Sequence, residues 1–122
     1  DECDVVVPRN RVAEFVKFTR VIETEEKLRI RSFGHAGDGN LHVYLLRDEL
    51  SREEFRARLE RAFARLYRQA KELGGQVSGE HGIGHAKQPY MPEVTGELEL
   101  SLMRQIKQAF DPRNILNPGK VV

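Results

Sequence analysis

Two histidines on either side of a short turn are the first residues in this sequence that could do chemistry. His35 and His42 flank a segment in which Asp38 and Gly39 form a turn-prone pair. A two-residue hairpin turn at Asp38 and Gly39 makes the two histidines direct cross-strand partners. Side chains paired in this way have Cβ atoms roughly 4.5 to 5.5 Å apart, which lets both imidazoles bind one transition-metal ion. The alternatives are two histidines that decorate the edge of a sheet and an Asp38 that serves only the turn.

An acid and a third histidine stand together further along the chain, in the motif SGEHGIGH that begins at Ser78. If this segment is extended, Glu80 and His81 point to opposite sides and have different tasks. Glu80 would then join His35 and His42 in a set of two imidazoles and one carboxylate. Three protein ligands leave coordination positions open, as in catalytic zinc, manganese or iron sites and unlike closed structural zinc sites. The alternative for Glu80 is an exposed loop carboxylate.

Three other features are interpreted as structural, with no part in catalysis or binding. His85, at the end of the same motif, is interpreted as a solvated side chain. Gly82 and Gly84 do not form a dinucleotide-binding fingerprint, because no third glycine opens a helix at the required offset. A series of arginines interleaved with glutamates is typical of a solvated helix face, and a nucleic-acid groove is the poorer interpretation. The series consists of Arg52, Arg56, Arg58, Arg61, Arg65 and Arg68.

The elements that must position these residues follow the order βαββαβ. Alternating apolar residues predict the strands, and apolar residues at helical spacing predict the helices. We expect strands at residues 5–7, 28–34, 41–45 and 76–78, a helix from residue 12, and a second helix after the capping box of Ser51 and Glu54. This order predicts a four-stranded antiparallel sheet with both helices on one face, the ferredoxin-like α+β arrangement. A C-terminal helix that ends at Asp111 and a terminal turn at residues 117–119 follow.

Composition sets the class of protein. The 122 residues form one domain, and 39% hydrophobic with 32% charged residues is the balance of a folded domain. A net charge of +1 gives no field that attracts nucleic acid or anionic lipid. The single cysteine, Cys3, cannot form an internal disulfide, and no apolar run approaches the ~18 residues of a membrane span. We therefore expect a cytoplasmic protein, and the start at Asp1 is that expected of a piece of a longer chain.

Three motifs in order resemble a known family. GHAGDGNLH at 34–42, SGEHGIG at 78–84 and AFDPRNILNPGK at 109–120 are similar to the C-terminal domain of FAD-linked oxidases in the vanillyl-alcohol oxidase superfamily. The most similar branch is the 2-hydroxyacid group, which includes the glycolate oxidase flavin subunit, D-lactate dehydrogenase and D-2-hydroxyglutarate dehydrogenase. The resemblance implies that residues 1–122 form the final, substrate-facing part of a longer flavoprotein, whose FAD-binding domain lies outside this chain.

The resemblance also implies roles for individual residues. His35, His42 and Glu80 would bind a divalent metal, zinc or manganese, in agreement with the spacing argument. His81 would be the catalytic base that takes the proton of the substrate hydroxyl while the adjacent carbon gives a hydride to FAD. Asn117 in the terminal turn would lie near the flavin.

The function expected from the resemblance is oxidation of a small 2-hydroxyacid, such as glycolate or D-lactate, by a flavin-dependent dehydrogenase or oxidase. Electrons would pass to an acceptor other than nicotinamide, with an electron-acceptor subunit as a candidate partner and membrane association through partner subunits as an alternative to a purely cytoplasmic enzyme. Tyr44 departs from the D-2-hydroxyglutarate branch, which has a substrate-holding asparagine there.

The alternative function is a stand-alone ferredoxin-like module that binds a small ligand or a metal. RNA binding on the sheet is disfavoured, because Phe33 and Tyr44 are the only aromatics available for stacking.

Overall fold

A computed structural model describes residues 1–122 and has the α+β composition expected from the sequence. In chain order, the strands and helices are β1 Glu2–Val6, α1 Val12–Glu25, β2 Arg29–His35, β3 Asn40–Leu46, α2 Arg52–Glu72, α3 Met91–Val94 and α4 Glu97–Phe110. Short 3-10 turns at Arg9–Arg11 and Gln88–Tyr90 precede α1 and α3.

The sheet has three strands in the order β1-β3-β2, and both pairs are antiparallel. The predicted fourth strand at residues 76–78 is wrong: only an isolated bridge between Val6 and Gln76 forms. The next backbone N–H groups do not continue the ladder, because those of residues 79–81 donate to the carboxylate of Asp4 instead. The first strand also begins earlier than predicted, at Glu2 rather than Val5.

Period-two alternation separates the two faces of the sheet. Leu41, Val43 and Leu45 of β3 are buried in the core, while His42 and Tyr44 lie on the opposite face. The core-facing strand residues form one cluster with the apolar faces of α1 and α2. That cluster includes Cys3, Val5, Phe15, Ile22, Ile30, Ala62, Leu66, Tyr67 and Ala70. The helices therefore cover one face, and the histidine face stays free of core packing.

The second helix is fixed at its start and along one side. The predicted capping box is confirmed, since Ser51 Oγ accepts from the N–H of Glu54 and the Glu54 carboxylate accepts from Ser51. The arginine series, however, is not the purely solvated face that the sequence predicts. Arg61 binds Glu26 at 2.9 Å, and Arg58 donates to the carbonyls of Glu26 and Lys27, which directly follow α1, so these side chains attach α2 to the end of α1.

The C-terminal helix α4 ends where predicted, at Asp111. This carboxylate accepts from the N–H groups of Ile115 and Leu116 and pairs with Lys107, which shapes the terminal turn. The N–H of Val121 then donates to the carbonyl of Gly84, so the terminal turn is attached to the SGEHGIGH segment. No helix in the structure combines the length and apolar composition that crossing a membrane would require.

Candidate metal centre

The β2–β3 hairpin brings His35 and His42 to one face, although in a different register from the predicted one. His35 lies opposite Asn40, and His42 lies opposite Phe33, so the two histidines are not direct partners. The register differs from the prediction by two residues, which leaves every side chain on its predicted face. The rings are accordingly close, with centroids 5.9 Å apart.

The hairpin loop explains the change in register. Residues 36–39 form the loop, and both Asp38 and Gly39 donate their N–H groups to the carbonyl of His35. The carbonyl of Gly39 accepts from the N–H of Val7 at 2.9 Å. A Cβ on Gly39 would lie 1.9 Å from the carbonyl oxygen of Val7, so this close approach requires glycine. The end of β1 thus holds the loop in a four-residue form that a local Asp-Gly signal could not reveal.

Glu80 reaches the two histidines from the loop that follows α2. Its Oε1 lies 3.1 Å from Nε2 of His42 and 3.8 Å from Nε2 of His35. These three ligand atoms all lie within 4.8 Å of one another. The structure therefore brings together the three residues expected to bind a metal. His42 is buried, whereas His35 and Glu80 remain accessible from solvent.

His81 lies against the His42 ring. The two rings are stacked with centroids 4.9 Å apart, and His81 Nδ1 is 3.5 Å from Glu2 Oε1. The expectation that Glu80 and His81 point in opposite directions is wrong, since His81 Nε2 is only 4.0 Å from Glu80 Oε1. Residues 78–81 are not extended, because the backbone turns around Asp4 and presents both side chains to the same face.

The donor chemistry at His42 suits a cation. Glu2 Oε1 lies 2.9 Å from Nδ1 of His42, and Glu80 faces Nε2 of the same ring. A neutral imidazole has one N–H, so donation from Nδ1 to Glu2 leaves the Nε2 lone pair directed at Glu80 and His35. Two nitrogen lone pairs and a carboxylate that face one another are a ligand set for zinc or manganese. Glu2 then has the place of the carboxylate that orients a metal-binding histidine.

A second group of ligand type consists of Glu2, His42 and His81, whose ligand atoms also lie within 4.8 Å of one another. It shares His42 with the first group, but uses the opposite ring nitrogen. The 2.9 Å contact between Glu2 and Nδ1 is that of an ordinary hydrogen bond. The first group is the set that the sequence predicts to bind a metal, and Glu2 and His81 of the second group lie directly beside it.

Three residues of this region received no role from the sequence: Glu2, Asp4 and Lys87. Asp4 Oδ2 accepts from Ser78 Oγ at 2.7 Å and from Lys87 Nζ at 3.1 Å. Burial alone would raise the pKa of Asp4, but hydrogen bonds from the His81 N–H, Ser78 and Lys87 outweigh it and lower that pKa well below its usual range. The signal that could have found Glu2 and Asp4 is their alternation with the buried Cys3 and Val5.

Neighbouring groups are excluded from the chemistry on physical grounds. Cys3 is free and fully buried on the core face, and burial raises the pKa of its thiol to about 12. It therefore stays protonated and is no metal ligand. His85 is exposed, as expected, and belongs to neither ligand group.

Asn117 is not brought into the histidine cluster. It lies in the terminal turn with a positive φ of 51°, and its side chain oxygen accepts from Lys120 at 3.4 Å. The terminal turn is linked to the histidine cluster by the hydrogen bond from the N–H of Val121 to the carbonyl of Gly84. Gly84 lies three residues after His81 in the sequence. Asn117 is exposed, so its side chain is available to a group outside this chain.

The open face of the sheet thus gathers three histidines and a carboxylate, side chains of the types that can bind a metal ion. The sequence matches the model of the family described as FAD linked oxidases, C-terminal domain, over residues 1–121. The chain belongs to this family, and the resemblance drawn from the three motifs is confirmed.

Individual relatives agree with this assignment. The chain is 48% identical to D-lactate dehydrogenase of Anaerostipes hadrus over 121 residues, which cover 99% of this chain and 26% of the relative. It is 45% identical to glycolate oxidase subunit GlcD of Bacillus subtilis over 118 residues, 97% of this chain and 25% of the relative. D-lactate dehydrogenase of Archaeoglobus fulgidus is 42% identical over 120 residues, 98% of this chain and 26% of the relative. The chain thus spans about a quarter of the length of these relatives.

Proposed function

We propose that this chain is the C-terminal, substrate-facing part of a FAD-dependent dehydrogenase or oxidase of small 2-hydroxyacids, and that His35, His42 and Glu80 hold its divalent metal. The observation that carries the proposal is the approach of Nε2 of His42, Nε2 of His35 and Oε1 of Glu80 within 4.8 Å, on a sheet face that the core does not use. The names of the relatives, D-lactate dehydrogenase and glycolate oxidase subunit, support the substrate class. Family membership favours this function over a stand-alone ferredoxin-like module.

The metal site fits a zinc or manganese ion with open positions. Two imidazole nitrogens and one carboxylate oxygen come from the chain, and Glu80 and His35 are reached from solvent. When bound, the metal would polarise the substrate hydroxyl and hold the adjacent carboxylate. Glu2 would keep the Nδ1 proton of His42 in place, so that Nε2 stays free to bind.

His81 is the proposed catalytic base. Its ring is held by stacking on His42, and its Nδ1 faces the Glu2 carboxylate. An Nδ1 proton directed at Glu2 leaves the Nε2 lone pair to accept the proton of a substrate hydroxyl. When bound, FAD would accept the hydride from the carbon of the same alcohol, so that loss of the proton and of the hydride converts the hydroxyl to a carbonyl group. The His81 side chain is 45% exposed, which leaves room for a substrate beside it.

The other parts of the proposal concern groups outside this chain. FAD would be bound mainly by a separate domain, with the exposed Asn117 of the terminal turn near the flavin. Substrates would be glycolate, D-lactate or a similar 2-hydroxyacid. Electrons would leave through an acceptor other than nicotinamide, with an acceptor subunit as the partner. We propose a cytoplasmic location, with membrane association through that partner as the alternative.

The experiment that tests the proposal uses a flavoprotein that contains this domain together with its FAD-binding part. Anaerobic mixing with D-lactate or glycolate should bleach the flavin absorbance in a single turnover, and metal analysis should find zinc or manganese. A 2-hydroxyacid should be required, so an alcohol of the same size without the carboxylate is the control. A flavin that no 2-hydroxyacid reduces would contradict the proposed activity.

A further inference from the structure

A buried carboxylate on β1 organises the loop that carries Glu80 and His81. We propose that Asp4, held by Lys87, is a positioning residue that sets residues 78–81 over the sheet and so places Glu80 and His81 against His42. The inference rests on the proposed metal site, but its contacts belong to this chain alone.

The contacts of Asp4 form a complete cradle around one oxygen atom. Oδ2 accepts from three consecutive backbone N–H groups, those of Gly79 at 3.1 Å, Glu80 at 3.3 Å and His81 at 3.0 Å. The hydroxyl of Ser78 donates to the same oxygen at 2.7 Å. Successive N–H groups that converge in this way make a concave anion site, and in this loop the anion is a side chain of the protein itself.

Lys87 supplies the countercharge. Its Nζ donates to Asp4 Oδ2 at 3.1 Å, to the carbonyl of Asp4 at 3.2 Å and to Ser78 Oγ at 3.3 Å. The side chains of Asp4 and Lys87 are 1% and 10% exposed, so both charges are removed from water. A buried pair of this kind adds little net stability compared with apolar residues of similar size, and removal of one partner leaves the other uncompensated. Its clearest structural effect is therefore to specify one conformation of the loop.

Asp4 and the N–H groups that it accepts from also lie next to the candidate metal site. Asp4 lies directly opposite His42 in the β1–β3 register, so the loop that it holds lies over the buried histidine. Its second oxygen, Oδ1, is buried without a hydrogen-bond partner and lies 3.9 Å from His42 Nδ1. At Gly79, a Cβ would lie 2.0 Å from Oδ1 of Asn40, so the backbone of the loop comes close to β3. Without the carboxylate, the three N–H groups would have to find other acceptors and the loop would move away from His42.

The chain contains a matched control carboxylate. Asp111 is also buried, accepts from the two N–H groups of Ile115 and Leu116, and pairs with Lys107. It holds the terminal turn and contributes no atom to either ligand group. Asp111→Asn therefore removes a buried, lysine-paired loop carboxylate of the same kind without touching residues 78–81.

The test compares the wild-type chain with Asp4→Asn, Lys87→Met and Asp111→Asn. Folding of each protein is checked by circular dichroism, and Zn²⁺ is then titrated while the histidine ring signals are followed by NMR. We expect Asp4→Asn to weaken Zn²⁺ binding by ~10- to 100-fold, the range seen when a supporting residue of a metal site is lost. Lys87→Met should weaken it less, and Asp111→Asn should lower only the melting temperature. A purely structural role would lower the melting temperature of Asp4→Asn and Asp111→Asn alike and leave Zn²⁺ affinity unchanged, which would overturn the proposal.

Amide exchange makes the test independent of the metal and of variant folding. In the wild-type chain, the N–H groups of Gly79, Glu80 and His81 should exchange slowly, because the buried carboxylate holds all three. Fast exchange of all three would overturn the proposal even if every variant failed to fold. If the wild-type chain binds no Zn²⁺ while the three amides are protected and lose protection in Lys87→Met, the proposed metal site fails and the positioning of the loop by Asp4 stands.

Discussion

His42 faces a carboxylate at each of its ring nitrogens, an arrangement that supports its proposed role as a metal ligand. Glu2 lies at Nδ1 and Glu80 at Nε2, at 2.9 Å and 3.1 Å. His35 adds a second nitrogen beside Glu80. A neutral ring has one N–H and can donate to only one of the two carboxylates, so a cation bound at the other nitrogen would satisfy the remaining lone pair. These contacts support the proposed metal site, in which Glu2 would be the carboxylate that orients His42.

The first prediction concerns these ligands. Replacement of His35, His42 or Glu80 by alanine should each reduce metal content and Zn²⁺ affinity, His42 by more than the ~10- to 100-fold typical of supporting residues. His85→Ala is the control, since His85 is exposed and outside both ligand groups. Metal analysis after dialysis and titration of each variant provides the measurement. Equal metal content in the wild type and all three ligand variants would exclude the assignment.

The second prediction separates the base from the ligands. In a flavoprotein that contains this domain, His81→Ala should retain flavin and metal, because His81 stacks on His42 but is not one of the three proposed ligands. Flavin reduction by substrate should nevertheless slow by ~10²- to 10⁴-fold, the usual loss when a general base is removed. Stopped-flow measurement of anaerobic flavin reduction tests this. An unchanged rate would remove His81 from the reaction.

At the scale of elements, the sequence predicted the helices and strands whose formation depends on residues close to one another in the chain. The amphipathic helices, the capping box at Ser51 and the two hairpin strands all follow from residues close in sequence. The hairpin register and the missing fourth strand depend on distant contacts, namely Gly39 with Val7 and residues 79–81 with Asp4. The face occupied by His35 and His42 was still predictable, because a shift of two residues in register preserves it.

The end of α4 gives the third prediction. The hydrogen bond from Lys107 is the largest influence on the pKa of Asp111 and, with the N–H groups of Ile115 and Leu116, it lowers that pKa against the opposing effect of burial. A carboxyl group whose pKa is lower in the folded state stabilises the fold above its unfolded pKa, about 3.9 for aspartate. This contribution is lost as the pH falls through the lower pKa of the folded state.

Urea unfolding of the wild type and Asp111→Asn should therefore differ at pH 7, with the variant less stable. The difference should shrink as the pH falls from about 3.9 through the lower folded-state pKa of Asp111, because the folded wild type then loses its charge at this position as well. Asp38→Asn is the control, since Asp38 is exposed in the hairpin loop. A gap between wild type and Asp111→Asn that persists unchanged into acid would show that the charge of Asp111 does not stabilise the turn.

At the scale of the whole molecule, one side of the candidate site is built on the sheet and its other side is exposed. The sheet, α1 and α2 form a closed core, so the ligands are held by elements that this chain supplies itself. On the opposite side of the site, the side chains of Glu80 and His81 are each about half exposed. Further apolar surface is uncovered on α4, where Leu100 is buried but Leu98, Ile106 and Phe110 are exposed. The chain covers about a quarter of the length of the relatives that it matches.

The last prediction follows from the exposure of the candidate site. The isolated 122-residue chain should fold, since its core is continuous, but it should purify colourless and oxidise no 2-hydroxyacid even with FAD added. It has no glycine loop that opens a helix to bind a dinucleotide phosphate, and water should fill the open coordination positions that flavin and substrate would otherwise enclose. Metal binding should be weaker than in the complete enzyme for the same reason. Anaerobic addition of FAD and D-lactate, followed by flavin absorbance, decides the matter: bleaching at enzymatic rates would mean that these residues are a complete enzyme.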